Sequence, residues 1–284
     1  MKLLVLTIVV MIAFAANTVL NRMAVFGAGW SPASVGTIRL ASGAAVLIAL
    51  VVILKGPSAL KMKRGALLAG VAALSLYIFG FSIASGRIDA GAGALVLFAM
   101  VQITMFGGAV ITREKIGAFR WIGTGLAMTG LTVLLLPEAG TARLDSVGFA
   151  LMAMAGIGWG LYSLNGRRAG DPIVATALNF AFSTPLAALW LLVEGGWGRG
   201  ESWGVWPALI SGGITSSLGY ALWYRVVPRI PASVAALSQL SVPMIAALGG
   251  LLLLAEVPDL RFWIASALIL GGIAFGVYPA KSRK

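Results

Sequence analysis

Long apolar stretches that carry almost no charge constrain this chain more than any other feature of its sequence. The hydrocarbon core of a bilayer is about 30 Å thick, so a helix needs about 20 apolar residues to cross it. Ten such stretches follow one another, separated by short charged or Pro/Gly-rich segments, and they predict an all-α integral membrane protein with ten transmembrane helices. They lie at residues 3–22, 32–54, 65–86, 90–111, 118–136, 146–166, 172–193, 204–224, 232–254 and 260–278.

The composition agrees with this assignment. Only 11% of the residues are charged and the mean hydropathy is +0.97, whereas soluble proteins carry about 25% charged residues. An alternative interpretation of the first stretch is a secretory signal, because Lys2 precedes an apolar run that ends in small residues around Ala15. We favour a membrane helix, because the internal repeat described below requires it as its first member.

Two residue types are missing, and their absence excludes several chemistries. The chain has no His and no Cys, so it offers no disulfide, no thiol nucleophile, no imidazole proton relay and no His/Cys metal site. It also lacks the Gly-x-x-x-x-Gly-Lys-Ser/Thr loop that binds nucleotide phosphates. We therefore expect no cofactor, no metal and no ATP hydrolysis.

The positive charges are distributed unevenly between alternate loops. If the N-terminus is cytoplasmic, fifteen of the 21 Lys and Arg residues fall on the inner side and five on the outer side. This bias predicts that both termini are cytoplasmic, as in a protein of the bacterial inner membrane. Because the excess charge of +12 is spread over short inner loops that face anionic lipid, it does not indicate nucleic-acid binding.

The chain resembles itself at an offset of 142 residues. The matching positions include Arg87 with Arg229, Gly107-Gly108 with Gly249-Gly250, Glu114 with Glu256, Trp121 with Trp263, Gly130 with Gly272 and Pro137 with Pro279. The pattern predicts two repeats, residues 1–142 and 143–284. Since each repeat has five spans, the two copies enter the membrane from opposite sides, which is a recurring plan of secondary transporters.

These residues also carry a family resemblance. The segment from Tyr220 to Phe275 resembles the EamA-type repeat of the drug/metabolite transporter superfamily through Pro243, Gly249-Gly250, Glu256 and Gly271-Gly272. The first half is similar through Pro32, Arg39, Gly107-Gly108, Glu114 and Gly130. Residues 76–81 and 97–102 further resemble the YddG-type aromatic amino-acid exporters. The resemblance implies a ten-helix basket whose helices 1, 3, 4, 6, 8 and 9 hold substrate in a central cavity.

Several polar side chains are predicted to lie inside the spans. Arg39 falls about 10 Å into the second span, where a charge is either functional or a structural cation satisfied by carbonyls or by snorkelling. Asn17 and Asn21 share one face of the first helix and are candidates for structural or cavity-lining roles. Glu114 and Glu256 sit at helix ends, and we expect both to be solvated turn residues.

A second set of residues, within or near the spans, is assigned to substrate binding. Gln102, Ser238, Gln239 and the break at Pro243 are predicted to line the cavity and to hold an ammonium and a carboxylate, with interhelical hydrogen bonding as the alternative. Pro243 has no counterpart in the fourth helix, so the two halves are not equally kinked. Because no acidic residue lies near the middle of a span, we expect transport that is not strongly proton-coupled.

Aromatic residues within spans supply the other part of the predicted site. Trp159 and Tyr162 are three residues apart, as are Tyr220 and Trp223, so each pair shares a helix face. With Tyr77 and Phe98 they are predicted to surround a flat apolar side chain, although core packing alone is an alternative. Gly156 and Gly160 form a small-xxx-small face that predicts close helix approach.

Together these observations predict a secondary transporter, not an enzyme, that exports amino acids with aromatic or large apolar side chains by alternating access. The expected partners are a small-molecule substrate and the lipid bilayer, and the oligomeric state is left open. A carrier for nucleosides, sugars or drugs is the alternative within transport. A membrane-embedded enzyme and a non-transporting scaffold are more remote alternatives.

Overall fold

The computed structural model describes residues 2–111, 118–135, 145–166, 170–226 and 241–277. Within these ranges ten helical spans follow one another in chain order. The first five are α1 (Lys2–Arg22), α2 (Pro32–Lys55), α3 (Arg64–Ser85), α4 (Ala90–Ile111) and α5 (Ala118–Leu135). The second five are α6 (Ser146–Gly166), α7 (Pro172–Val193), α8 (Val205–Ile210, Ser211–Ser216 and Ser217–Val226), α9 (Ser241–Leu254) and α10 (Leu260–Val277).

Two of these helices depart from regular α geometry. The α-helical part of α1 ends at Arg22, where the sequence predicted the end of the first span, and the π-helical turns Met23–Gly27 continue the helix beyond it. In α8 the central segment Ser211–Ser216 is also π-helical. Because a π segment shifts the side chains that follow it around the helix axis, both departures affect which residues face the interior.

Start signals in the sequence explain where two equivalent helices begin. The hydroxyl of Ser31 accepts a hydrogen bond from the Ser34 amide, and Pro32 occupies the first turn of α2. At α7 the carboxylate of Asp171 accepts from the amides of Ile173 and Val174. A capping side chain that satisfies free N–H groups, followed by proline, is the usual beginning of a helix.

Helices of the two halves pack against each other, and some of the packed pairs, such as α5–α10 and α2–α7, are counterparts in the repeat. The most extensive contacts join α5 to α10, α3 to α6, α2 to α7 and α4 to α6, and α4 also packs on α9. In the α5–α10 pair a Cβ at Gly130 would lie 2.8 Å from Leu268, and one at Gly272 would lie 2.5 Å from the Gly123 carbonyl. The two repeat-related glycines therefore permit the same close approach from both helices.

Contacts between loops define one end of the bundle, here called the Glu256 end. Arg22, at the end of α1, forms an ion pair with Glu256, which lies between α9 and α10. The indole nitrogen of Trp30, after α1, donates to the carbonyl of Glu201, after α7, at 2.7 Å. Segments that follow α1, α7 and α9 therefore meet at this end.

The opposite end, called the Lys55 end, joins a different set of segments. Lys55, at the end of α2, forms an ion pair with Asp171, between α6 and α7. Asn165, near the end of α6, donates to the Ala66 carbonyl in the first turn of α3 at 2.7 Å. Since α1 ends at the Glu256 end and its counterpart α6 ends at the Lys55 end, the two five-helix halves run in opposite senses.

The outer surface of the bundle is apolar, as expected for helices that face lipid. Five helices within the described residues are long and apolar enough to cross a membrane: Leu3–Gly27, Pro32–Lys55, Arg64–Ser85, Ser146–Asn165 and Ile173–Val193. Large side chains on the spans, such as Ile53, Leu68 and Leu252, are exposed rather than buried. The fold is thus an all-α membrane protein of ten helices in two inverted five-helix repeats.

Candidate functional site

A small cavity lies between the two halves near the middle of the bundle. Its volume is about 20 Å³, enough for about one water molecule. Helices α1, α3, α4, α6 and α8 contribute its walls. The lining residues are Phe14, Asn17, Thr18, Tyr77, Phe81, Leu97, Phe98, Trp159 and Tyr220.

Trp159 is the centre of an aromatic cluster in this wall. Its ring centroid lies 4.8 Å from that of Tyr220 and 5.1 Å from that of Tyr77. Tyr162 stacks on it at 5.7 Å, and Phe14 meets it edge-on at 6.4 Å. These separations fall within the range of favourable ring–ring contacts, so the cluster offers flat apolar faces from both halves of the chain.

Glycines on α6 explain how Trp159 reaches this position. A Cβ at Gly156 would lie 2.6 Å from the Leu97 carbonyl of α4, and one at Gly158 would lie 2.6 Å from the Tyr77 nitrogen of α3. Helix α6 therefore passes at backbone contact between α3 and α4. The predicted close approach at Gly156 and Gly160 is confirmed, and Gly158 provides a second contact on the opposite face of the helix.

The polar part of the wall is built around Asn17. Its side-chain oxygen accepts hydrogen bonds from Ser211 at 3.0 Å and Ser216 at 3.2 Å, and from Thr215. All three hydroxyls belong to the π-helical segment of α8, in which Gly212 lies against the Arg39 carbonyl. The amide of Asn17 in the first half is thereby fixed by hydroxyls of the second half.

Arg39 is fully buried behind this wall. Its Nη2 donates to the Tyr77 hydroxyl at 2.8 Å, and its Nε donates to Ser216 at 3.3 Å. The guanidinium carbon lies 5.2 Å from the ring centre of Tyr77 and 5.1 Å from that of Phe81. The proposal that carbonyls satisfy this arginine, or that it snorkels, was wrong, because its partners are two hydroxyls and two ring faces.

The structure brings together most of the aromatic residues predicted for the site. Tyr77, Phe98, Trp159 and Tyr220 line the cavity. Tyr162 lies behind Trp159 and its hydroxyl donates to Thr176 at 3.1 Å. Trp223, half-buried, contacts Phe14 with ring centroids 5.8 Å apart.

Fewer of the predicted polar residues than of the aromatic residues lie at the cavity. Gln102 is half-buried on α4, one turn beyond Phe98, and is not among the lining residues. Pro243 is buried in the first turn of the described part of α9. Asn21 is fully buried, and neither of its amide atoms has a hydrogen-bond partner within the described part of the chain. Ser238 and Gln239 lie outside the described residues.

Four cavity residues, Phe14, Thr18, Phe81 and Leu97, were not among the site residues predicted from the sequence. Phe14 and Thr18 lie on the same face of α1 as Asn17, because their spacing of four residues is close to one helical turn. The sequence spacing of these residues could therefore have indicated that they share a helix face with Asn17. An isolated phenylalanine in an apolar helix, however, does not distinguish an interior face from a lipid face.

A larger cavity of about 270 Å³ lies among the loops of the Glu256 end. Beside it Arg22, itself buried, pairs with Glu256 and Asp89 and donates to the Ser85 carbonyl. The other oxygen of Glu256 accepts from the Ala90 amide at 2.8 Å. The expectation that Glu256 is a solvated turn residue was wrong, because its side chain is only 11% exposed. Glu114 lies outside the described residues.

A second ion pair closes the rim of this cavity. Arg87 contacts Asp145 at 2.9 Å, and both side chains are partly exposed. The hydrogen bond from the Gly148 amide, together with Arg87, holds the pKa of Asp145 below its usual value. Asp145 therefore stays ionised at neutral pH, and it caps the first turn of α6.

Two inverted halves around a central aromatic cavity, with an apolar surface outside, are the architecture of a polytopic membrane transporter. A profile of the EamA-like transporter family matches residues 1–136 and again residues 146–278. The chain therefore belongs to the EamA-like transporter family.

Individual relatives agree with this family. An uncharacterized protein of Pseudomonas aeruginosa is 41% identical over 99% of this chain and 96% of its own length. An uncharacterized transporter of Archaeoglobus fulgidus is 25% identical over 86% of this chain and 87% of its own. A riboflavin transporter of Vibrio cholerae is 26% identical over 64% of this chain and 61% of its own. A solved crystal structure shares the fold with a TM-score of 0.66 over 97% of both chains at 21% identity.

Proposed function

We propose that this transporter exports amino acids with aromatic or large apolar side chains across the bacterial inner membrane. The observation that carries the proposal is the aromatic wall of the central cavity, where Trp159, Tyr77 and Tyr220 come within ring–ring contact distance. Flat side chains gain most from such surroundings, because each favourable ring pair adds about 1 kcal/mol beyond the burial of area. A polar cavity for sugars would be expected to present more amides and hydroxyls.

Transport on this proposal follows alternating access. Pockets that hold small molecules measure about 300–1,000 Å³, so a cavity of about 20 Å³ has to widen before a solute enters. Rocking of one five-helix half against the other supplies that change, because the cavity wall is shared between them. The ion pairs at the two ends, Arg22–Glu256 and Lys55–Asp171, each join one half to the other and are the contacts that alternate.

The proposed orientation places the Lys55 end and both termini in the cytoplasm, following the distribution of Lys and Arg. The proposed energetics exclude strong proton coupling. Every Asp and Glu among the described residues lies in a loop or at a helix end, whereas proton relays place a carboxylate within a span.

A riboflavin-like solute is the second candidate substrate. The relative from Vibrio cholerae is named as a riboflavin transporter, and a fused flat ring system suits the same aromatic wall. The two candidates differ in size and in charge, because an amino acid carries a carboxylate and an ammonium group whereas riboflavin is neutral.

Flux measurements on the purified protein in liposomes test the proposal. We expect labelled tryptophan and phenylalanine to equilibrate faster than in protein-free vesicles, with unlabelled aromatic amino acids competing. Competition by riboflavin and not by amino acids would favour the second candidate. Competition by sugars or nucleosides alone would contradict both.

A further inference from the structure

Arg39 is a buried cation for which the described part of the chain provides no carboxylate. The side chain is 0% exposed within a membrane-spanning helix, where an unpaired charge is costly. Its hydrogen-bond partners are the neutral hydroxyls of Tyr77 and Ser216. The third guanidinium nitrogen, Nη1, is buried and has no hydrogen-bond partner among the residues that the structure describes.

A second buried arginine, Arg22, has a hydrogen-bond acceptor for every nitrogen of its guanidinium group. Arg22 uses all three of its nitrogens, with Glu256, Asp89 and the Ser85 carbonyl as acceptors. Two of these acceptors are carboxylates, so the positive charge is paired within the fold. The described residues provide Arg39 with neither a neutralising carboxylate nor a third acceptor, so its guanidinium can still bind an external anionic group.

The position of Arg39 connects this unmet charge to the central cavity. Tyr77 and Phe81, whose rings lie about 5 Å from the guanidinium carbon, are lining residues of that cavity. Ser216, the partner of its Nε, donates to Asn17, which also lines the cavity. One layer of side chains therefore separates the guanidinium from the cavity, and the widening required for substrate entry rearranges that layer.

We propose that Arg39 binds the carboxylate of the transported solute while the aromatic wall holds its side chain. The planar guanidinium matches a carboxylate in geometry, and such charge-assisted hydrogen bonds are about twice as strong as neutral ones. This inference rests on the proposed function and makes it more specific. It assigns the carboxylate to Arg39 and leaves the amide-bearing residues for other groups of the solute.

Matched ligand pairs test the inference by equilibrium binding to the full chain in lipid nanodiscs. L-Tryptophan and tryptamine differ only in the carboxylate, and riboflavin 5′-phosphate differs from riboflavin only in an anionic phosphate. We expect the wild-type protein to bind L-tryptophan about tenfold or more tighter than tryptamine. The Arg39→Gln variant should bind both with similar affinity, and Arg39→Lys should retain part of the preference.

The control variant is Arg199→Gln, which removes the same charge from an exposed loop position and should keep the wild-type preference. An Arg39→Gln variant that weakens both members of a pair equally would overturn the inference in favour of a structural role. If that variant does not fold, the decision rests on the wild-type preference and on the Arg39→Lys variant. A preference seen only in the riboflavin pair would support the role of Arg39 while contradicting amino acids as substrates. No preference in either pair overturns it.

Discussion

Arg22 and Glu256 are 234 residues apart in the sequence, and their side chains form a buried ion pair that joins the two halves at one end of the bundle. Arg22 is 6% exposed, and Glu256 also accepts from the amide that opens α4. One carboxylate thus connects the end of α1, the start of α4 and the α9–α10 loop. We expect this arrangement to hold the Glu256 end closed.

Loss of this carboxylate should open the Glu256 end. The Glu256→Gln change leaves the buried Arg22 with one exposed carboxylate, Asp89, so we expect the closed arrangement to lose at least about 2 kcal/mol. Because the chain has no cysteine, Thr18→Cys provides a single reporter in the central cavity. An impermeant maleimide added on the Glu256 side should label it about tenfold faster in the Glu256→Gln background.

The control for this measurement is Glu201→Gln, which removes an exposed acid from the same end. It should leave the labelling rate unchanged. Equal rates in the Glu256→Gln and wild-type backgrounds would show that the ion pair does not keep this end closed.

Removal of the central indole should weaken the binding of aromatic solutes. Trp159 contacts the rings of Phe14, Tyr77, Tyr162 and Tyr220, so the Trp159→Ala change eliminates more aromatic surface than any other single change in the wall. We expect the Kd for tryptophan to rise about tenfold or more, with binding measured in nanodiscs. Trp206→Ala, at a 66% exposed position, is the matched control. An unchanged Kd would remove Trp159 from the site.

A methyl group at Gly158 should disrupt the bundle, whereas one at Gly125 should not. The Cβ of Gly158→Ala would lie 2.6 Å from a backbone nitrogen of α3. A backbone atom cannot move away unless the whole helix shifts. A Cβ built at Gly125 would have no neighbouring atom of another residue within 4 Å. We expect Gly158→Ala to lose about 1–3 kcal/mol and Gly125→Ala to be neutral or slightly stabilising. Thermal unfolding in detergent compares the two, and equal midpoints would contradict the close α3–α6 contact.

The helix bounds were the most predictable part of the fold. Lipid requires every spanning segment to satisfy its own backbone, so each span is a continuous apolar run that can be found from composition alone. The prediction for α4, residues 90–111, and that for α6, residues 146–166, coincide with the observed helices. The spacing of Trp159 and Tyr162, and of Tyr220 and Trp223, likewise predicted which aromatic residues share a face.

The errors all involve partners that are distant in the sequence. Glu256 was taken as a solvated turn residue because, considered alone, it is a charge beside an apolar run. Only the fold shows that it pairs with Arg22. For the same reason the hydroxyl partners of Asn17 were missed, because they come from the π segment of α8 near residue 215.

The helix cap at Asp171 should contribute to stability through its charge only above acidic pH. Although burial raises the pKa of this carboxyl, hydrogen bonds from Lys55 and from the amides of Val174 and Ile173 lower it below its usual value overall. Its stabilising effect is therefore fully present above the pKa of the unfolded chain and is lost as the pH falls through the folded value, below about pH 4.

Two substitutions distinguish the effect of the capping hydrogen bonds of Asp171 from the effect of its charge. Asp171→Ala should cost about 1 kcal/mol at neutral pH, because two N–H groups of α7 lose their acceptor. Asp171→Asn retains a capping oxygen and should differ from the wild type less, by an amount that is constant above pH 5 and shrinks below pH 4. Unfolding midpoints across this range check both expectations, and a difference that grows on acidification would contradict the sign.

A pH gradient alone should not drive accumulation of substrate. Among the described residues the least exposed acid is Glu256, and it forms an ion pair with Arg22 at the end of the bundle rather than within a span. Proteoliposomes given a step of about two pH units and no substrate gradient should therefore equilibrate tryptophan without concentrating it.

A trapped pH-sensitive dye verifies that the pH gradient persists during the assay. Accumulation that a protonophore abolishes would contradict this prediction. Repeating the assay with Glu256→Gln would then show whether the carboxylate that pairs with Arg22 is the one that carries the proton.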